Sequence, residues 1–184
     1  MDAEELKEST EHAERSGQKT VGLTMAIVAV LLAVATLLSH RAHTEEIKLQ
    51  TKVNDEWSFY QAKHARHYEF DINAKLAALN PNARDLAEEW AKKSKEEEDG
   101  VPAKDGKPAK DGAVQIQQKA EALERETETI TLRADHFDSG ELFLEISIVL
   151  CSIALLTAAK LYWRLSFITT ALGIGVVLWG WFLR

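Results

Sequence analysis

The sequence holds one cysteine, Cys151, so no disulfide within the chain can staple the fold. It also lacks a Gly-rich phosphate loop, GxSxG, HExxH and a cysteine placed beside a base. Those absences remove the common signatures of phosphoryl transfer, serine hydrolysis, zinc proteolysis and thiol catalysis. Proline is scarce, with three in 184 residues, and neither Gly nor Pro occurs from residue 23 to residue 80. Nothing local therefore interrupts a helix over that stretch. A basic surface is missing too: residues 41–140 carry 16 Lys and Arg against 21 Asp and Glu, and the chain carries a net charge of −7. This excludes the electrostatic footprint of a nucleic-acid binder. The chain is read as non-enzymatic, with no cofactor.

Charge is also absent from residues 20–39, TVGLTMAIVAVLLAVATLLS, ten of which are Leu, Ile or Val. At ~1.5 Å per residue such a helix covers the ~30 Å hydrocarbon core of a bilayer, where a helix hides its own backbone polar groups. Residues 142–159, interrupted by Glu145 alone, and residues 165–183, without any charge, give two more spans. A signal peptide is the competing reading of the first span. The block is too long for one, six acids against three bases precede it, and SHRAHTE is a poor cleavage site. It is read as an uncleaved signal anchor.

Lys160 and Arg164 in the short KLYWR link, with Arg15 and Lys19 before the first span, place the N-terminus and that link in the cytoplasm. Residues 40–140 are then periplasmic, although Arg41, Lys48 and Lys52 argue the other way.

The expected fold is all-α and integral to the membrane, with three transmembrane helices and a long extramembrane antiparallel helical hairpin between the first and second. Residues 1–19 form a short polar tail with Gly17 as a break, and residues 20–39 the first span. Residues 40–98 form extramembrane helices, interrupted where Asn80-Pro81-Asn82 disfavours helix and suits a new first turn. Residues 99–112 repeat PAKDG and read as a flexible loop, because Pro, Gly and alternating charge bury no apolar area. Residues 113–140 return as a helix, and residues 141–184 form the transmembrane hairpin. In the returning helix Ile116, Ala120, Leu123, Thr127, Ile130, Ala134 and Phe137 alternate steps of four and three, continued by Glu141, Leu144, Ile148 and Cys151.

Two small-residue stripes are candidates for close helix packing in lipid: Gly22, Ala26, Ala29 and Ala33 on the first span, and Ser147, Cys151, Ala154 and Ala158 on the second. On the long helix Val53, Trp57, Tyr60, His64, His67 and Asp71 follow the same seam spacing. Trp57, Tyr60, Gln61 and Lys63 are candidate partner contacts, the alternative being service in the seam within the chain. His64, His67 and Asp71 share a face and admit three readings: register-setting polar residues, a proton-responsive seam, or ligands for zinc or a similar ion.

The run NDEWSFYQAK at residues 54–63, after an uncharged span and before a charged helical middle, resembles a bacterial membrane family catalogued as domain of unknown function 4337. The family's run N-D-x-W-x-x-Y-Q-A-K and its C-terminal two-span hairpin with a basic, Trp-containing turn are matched here by Trp57, Tyr60, Gln61, Lys63, Lys160, Trp163 and Arg164. The PAKDG copies and the second histidine of HARH depart from its pattern. The resemblance implies a three-span protein of the bacterial inner membrane and carries no activity.

The function expected from the sequence is structural: a membrane-embedded helical stalk that self-associates as a homo-oligomer or serves as an accessory subunit of a larger membrane complex. An oligomeric channel or small transporter is the alternative, resting on Thr24, Thr36, Ser147, Ser152 and Thr157, and a metal- or pH-responsive protein using His64, His67 and Asp71 is another.

Overall fold

Good helix formers and the missing prolines have the expected local effect. The fold, taken from a computed structural model, is described for residues 3–104, 107 and 109–183, with side chains from residue 17. Helix α1 runs from Ala3 to Ala78 without interruption. Gly17, the expected break, lies inside it with open space where a side chain would be. One glycine costs a helix about 1 kcal/mol, too little to stop one flanked by strong formers.

The stop comes at Asn80. Its backbone is extended and its side chain accepts from the Asn82 N–H, which starts the short 3₁₀ helix Pro81–Ala83. Helix α2, Arg84–Asp99, follows and ends at Gly100, whose φ of 78° is in the left-handed region. Helix α3 covers Ala113–Thr157 with no break at Ser139 or Gly140, and α4 covers Lys160–Phe182. The link between α3 and α4 is Ala158-Ala159, with Ala158 left-handed at φ 54°, so the KLYWR residues form the first turns of α4 rather than the link.

Part of the PAKDG loop, residues 105, 106 and 108, lies outside the described residues, and the described ones on either side are paired. Val101 and Lys110 exchange two backbone hydrogen bonds of 2.8 Å, and Lys104 and Lys107 exchange two more, as isolated antiparallel bridges. Next to them the two ends of this segment cross in close contact at Gly100 and Gly112. A Cβ at Gly100 would lie 2.5 Å from the Lys110 carbonyl oxygen, and one at Gly112 would overlap the Gly100 nitrogen and the Glu98 carbonyl oxygen. The Gln115 side chain ties this crossing, accepting from the Gly112 N–H and donating to the Asp99 carbonyl.

The chain divides into two compact units, Met1–Glu45 with Thr129–Arg184, and Glu46–Glu128. In the first, buried positions recur every seven residues: Val28, Ala35 and Ala42 on α1, and Ser166, Gly173 and Gly180 on α4. Between them lie Ala134, Phe137, Leu144, Ser147, Cys151 and Ala154 of α3. The interior mixes small and hydroxyl-bearing groups with Val28, Phe137 and Leu144, while Leu23, Ile27, Val30, Val34 and Leu37 face outward. In the second unit Leu49, Val53 and Ala74 of α1 are buried, as are Ile116 and Ala120 of α3. Three helices, α1, α3 and α4, contain stretches long and apolar enough to cross a membrane.

The small-residue stripes fare differently. Ser147, Cys151 and Ala154 are buried, whereas Ala158 is exposed in the turn. On α1 the contacting face is Val28, Ala35 and Ala42, while Ala26, Ala29 and Ala33 point outward and Gly22 has no neighbour within 4 Å of a built Cβ. Close approach in this unit belongs to glycines of α3 and α4: a Cβ at Gly173 would stand 2.9 Å from the Gly140 carbonyl oxygen, and one at Gly180 2.8 Å from His136 Cβ.

Candidate functional site

The seam residues singled out by the sequence lie on one face of α1 in the unit Glu46–Glu128. Steps of three and four turn Val53, Trp57, Tyr60, His64, His67, Asp71 and Ala74 inward, the first and last buried and the others half-buried. The rings between them form a ladder. Trp57 meets Tyr60 edge-on at 5.5 Å between centroids, Tyr60 stacks on His64 at 5.1 Å, and His64 stacks on His67 at 6.0 Å. Tyr68 closes one side, edge-on to both histidines. Such offset and edge contacts favour each other by about 0.5–1.5 kcal/mol per pair beyond the area they bury.

Each end of the ladder is tied to another helix. The Trp57 Nε1–H donates to Glu124 of α3 over 2.8 Å. At the other end His67 faces α2 with both ring nitrogens: Nδ1 is 3.1 Å from the Ser94 carbonyl oxygen and 3.0 Å from its hydroxyl, and Nε2 is 2.7 Å from Glu98 Oε2. The buried Ser94 hydroxyl donates back to the His67 carbonyl over 3.1 Å. Beside it Lys63 Nζ and Arg66 Nε stand 2.9 and 3.3 Å from one oxygen of Glu97. Burial alone would raise the Glu97 pKa, but the hydrogen bond and charge of Lys63, helped by Arg66, outweigh it and hold the carboxyl below its ordinary 4.5.

The four candidate partner contacts therefore separate. Trp57, Tyr60 and Lys63 are engaged inside the unit, and Gln61 is exposed. The histidine and aspartate candidates do not converge either: Asp71 pairs with Lys75 at 2.6 Å and His67 is taken up by α2. His64 Nδ1 is buried without a hydrogen-bond partner among the described residues, where no group of three His, Cys, Asp or Glu could hold a metal ion.

A second set of polar contacts, unanticipated from the sequence, lies in the other unit. Thr36 donates to Glu141 over 2.6 Å, Ser39 donates to Asp138 over 2.5 Å, and His43 Nε2 lies 3.0 Å from the other Asp138 oxygen. The signal was present as matched spacing, a step of three from Thr36 to Ser39 and of three from Asp138 to Glu141, with the partners in opposite order along the chain. Further along α3 the buried Ser147 hydroxyl donates to the Ser166 carbonyl over 2.8 Å and meets the Thr170 hydroxyl at 2.6 Å. Arg133 spreads over Phe137 and Trp181, 5.5 and 5.6 Å from the ring centres. Chemically, these contacts join helix to helix by hydrogen bonds and ring faces, which sets register because a polar group left unpaired in such a seam costs ~1–3 kcal/mol.

No curated protein and no solved structure matches this chain. One family model does, over residues 17–183, which takes in the ladder, the polar contacts of the first unit and all three apolar helices. The chain thus belongs to the family described as domain of unknown function (DUF4337).

Proposed function

We propose that the protein is a non-enzymatic structural and interaction protein of the bacterial inner membrane, anchored by three spans and self-associating through its extramembrane helices. The membrane part of this reading is supported by the apolar outside of the unit Met1–Glu45 with Thr129–Arg184, where Leu23, Ile27, Val30, Ile168 and Leu172 are exposed around an interior that mixes Ala, Ser and Gly with Val28, Phe137 and Leu144. In water that outside would be left unfavourably hydrated at about 25 cal/mol per Å², whereas in lipid it is the ordinary arrangement. Lys19, Lys160 and Arg164 favour a cytoplasmic N-terminus and α3–α4 turn, with residues 40–140 forming a periplasmic helical hairpin.

The observation that carries the association is an uncovered apolar stripe on the side of α1 away from the ladder. Ile72 and Leu76, with Leu79 just past the helix end, are spaced four and three apart and are 56%, 60% and 80% exposed. An apolar stripe left in solvent beyond the apolar spans is what a partner helix covers. The replacement Ile72→Lys with Leu76→Lys tests it by native mass spectrometry after mild extraction. The expected result is loss of the assembly with helicity retained; an unchanged assembly, or a monomeric parent protein, refutes it.

A proton-responsive seam is a second reading, favoured by His67, whose two nitrogens both face oxygens of α2. Unfolding midpoints of the parent and His67→Gln between about pH 5 and 8 decide it, since parallel curves rule it out.

A further inference from the structure

At one end of the unit Met1–Glu45 with Thr129–Arg184, a groove of about 440 Å³ opens between the start of the apolar part of α1 and the α3–α4 turn. Val21, Ala154 and Leu155 make its apolar walls, Gln18 and Lys160 its polar edge, and Trp163 one side. Its size is within the roughly 300–1,000 Å³ usual for small-molecule pockets. The groove is built rather than incidental. The Trp163 Nε1–H donates to the Thr24 hydroxyl over 3.2 Å, the ring rests edge-on to Phe167 at 5.3 Å, and Thr24 in turn donates to the Thr20 carbonyl over 3.0 Å. Ala158, lining the turn, holds a left-handed φ of 54°, a conformation costing a residue with a Cβ about 1–2 kcal/mol.

Its lining carries one charged side chain, Lys160, and no Asp or Glu. No Asp or Glu occurs from residue 15 to 44 or from residue 146 to 184, while Lys19, Lys160 and Arg164 are exposed near this end. A groove with apolar walls and a cationic rim fits a molecule with an apolar tail and an anionic phosphate head, and each basic residue near an anionic headgroup contributes roughly 1 kcal/mol. We propose that this groove binds an anionic phospholipid, its phosphate at Lys160 and an acyl chain against Val21 and Leu155. The inference rests on the membrane reading above.

The test uses the full chain in a non-ionic detergent, titrated with phosphatidylglycerol, phosphatidylcholine or inorganic phosphate and read by native mass spectrometry. Phosphatidylglycerol is expected to half-saturate one site at a several-fold lower concentration than phosphatidylcholine. Lys160→Gln should weaken it about fivefold, the factor matching the loss of one basic contact, and Val21→Trp should block it by filling the groove. Because Lys160 is exposed, its replacement keeps the fold even if the Val21 variant does not. Equal binding of the two lipids, or a preference that survives Lys160→Gln, overturns the proposal, as does displacement of phosphatidylglycerol by inorganic phosphate. Recovery of the chain in the soluble fraction without detergent would instead defeat the membrane reading, whereas a membrane-retained chain with no lipid preference defeats this inference alone.

Discussion

Gly140 on α3 and Gly173 on α4 meet backbone to backbone, each occupying the space a Cβ on the other would need. A Cβ at Gly140 would stand 3.0 Å from the Gly173 carbonyl oxygen and collide with the Val177 side chain, and the reverse distance, from Gly173 to the Gly140 carbonyl oxygen, is 2.9 Å. Small residues at such a crossing let two helices approach closely enough for dispersion to hold them, which is the main attraction between helices in lipid.

Gly140→Ala and Gly173→Ala should each destabilise the protein by about 1–3 kcal/mol, the usual effect of overpacking a tight contact. Gly175→Ala should not destabilise it and should gain up to about 1 kcal/mol of helix propensity, because nothing lies within 4 Å of where its Cβ would be. Unfolding midpoints in detergent check this; equal effects at all three positions would refute the close approach.

Gly112→Ala should open the crossing at the base of the residue 101–110 bridges, since its Cβ overlaps backbone atoms that have no flexible end to move aside. Gly100→Ala adds the strain of a φ of 78°. Faster limited proteolysis between residues 101 and 111 is expected in both, with α1 unaffected.

Ser94→Ala removes a buried hydroxyl that bonds the His67 carbonyl and ring, and should lower the unfolding free energy by about 1–2 kcal/mol. Ser94→Thr, which keeps the hydroxyl, should recover part of it. If Ala and Thr behave alike, the hydroxyl is not what joins α1 to α2.

Glu97 gives the second unit a dependence on acid. Its folded pKa is depressed by Lys63 and Arg66 against the opposing effect of burial, so its contribution is present above the unfolded value near 4.5 and is lost as pH falls through the lower folded value. Lys63→Met should flatten that loss, read as the change in unfolding midpoint on acidification. A slope identical to the parent's would show that the pair contributes nothing.

Much of this was legible in one dimension. The α3 register from Ile116 through Ala120, Thr127, Ala134 and Phe137 to Leu144 and Cys151 is a line of buried positions, because a helix repeats its faces at fixed spacing wherever it packs. The stop at Asn80 was equally local, written in one proline and one capping amide. The partners were not. Ser94, Glu97 and Glu98 sit in a stretch of charge that looks solvated, and only the return of α2 beside α1 shows that they meet His67 and Lys63.

By itself the sequence determined that the chain is helical, that the long first helix stops at Asn80, and which three helices are apolar enough to cross a membrane. Backbone hydrogen bonds close within four residues, and apolar length is a property of a segment alone. Tertiary structure decided which face of each apolar helix packs: Val28, Ala35 and Ala42 rather than Gly22, Ala26, Ala29 and Ala33, and Gly140 against Gly173. In a helix apolar on every side no pattern marks an inner face, so that choice depends on shape and on partners a hundred residues away in the chain, as when Thr36 finds Glu141.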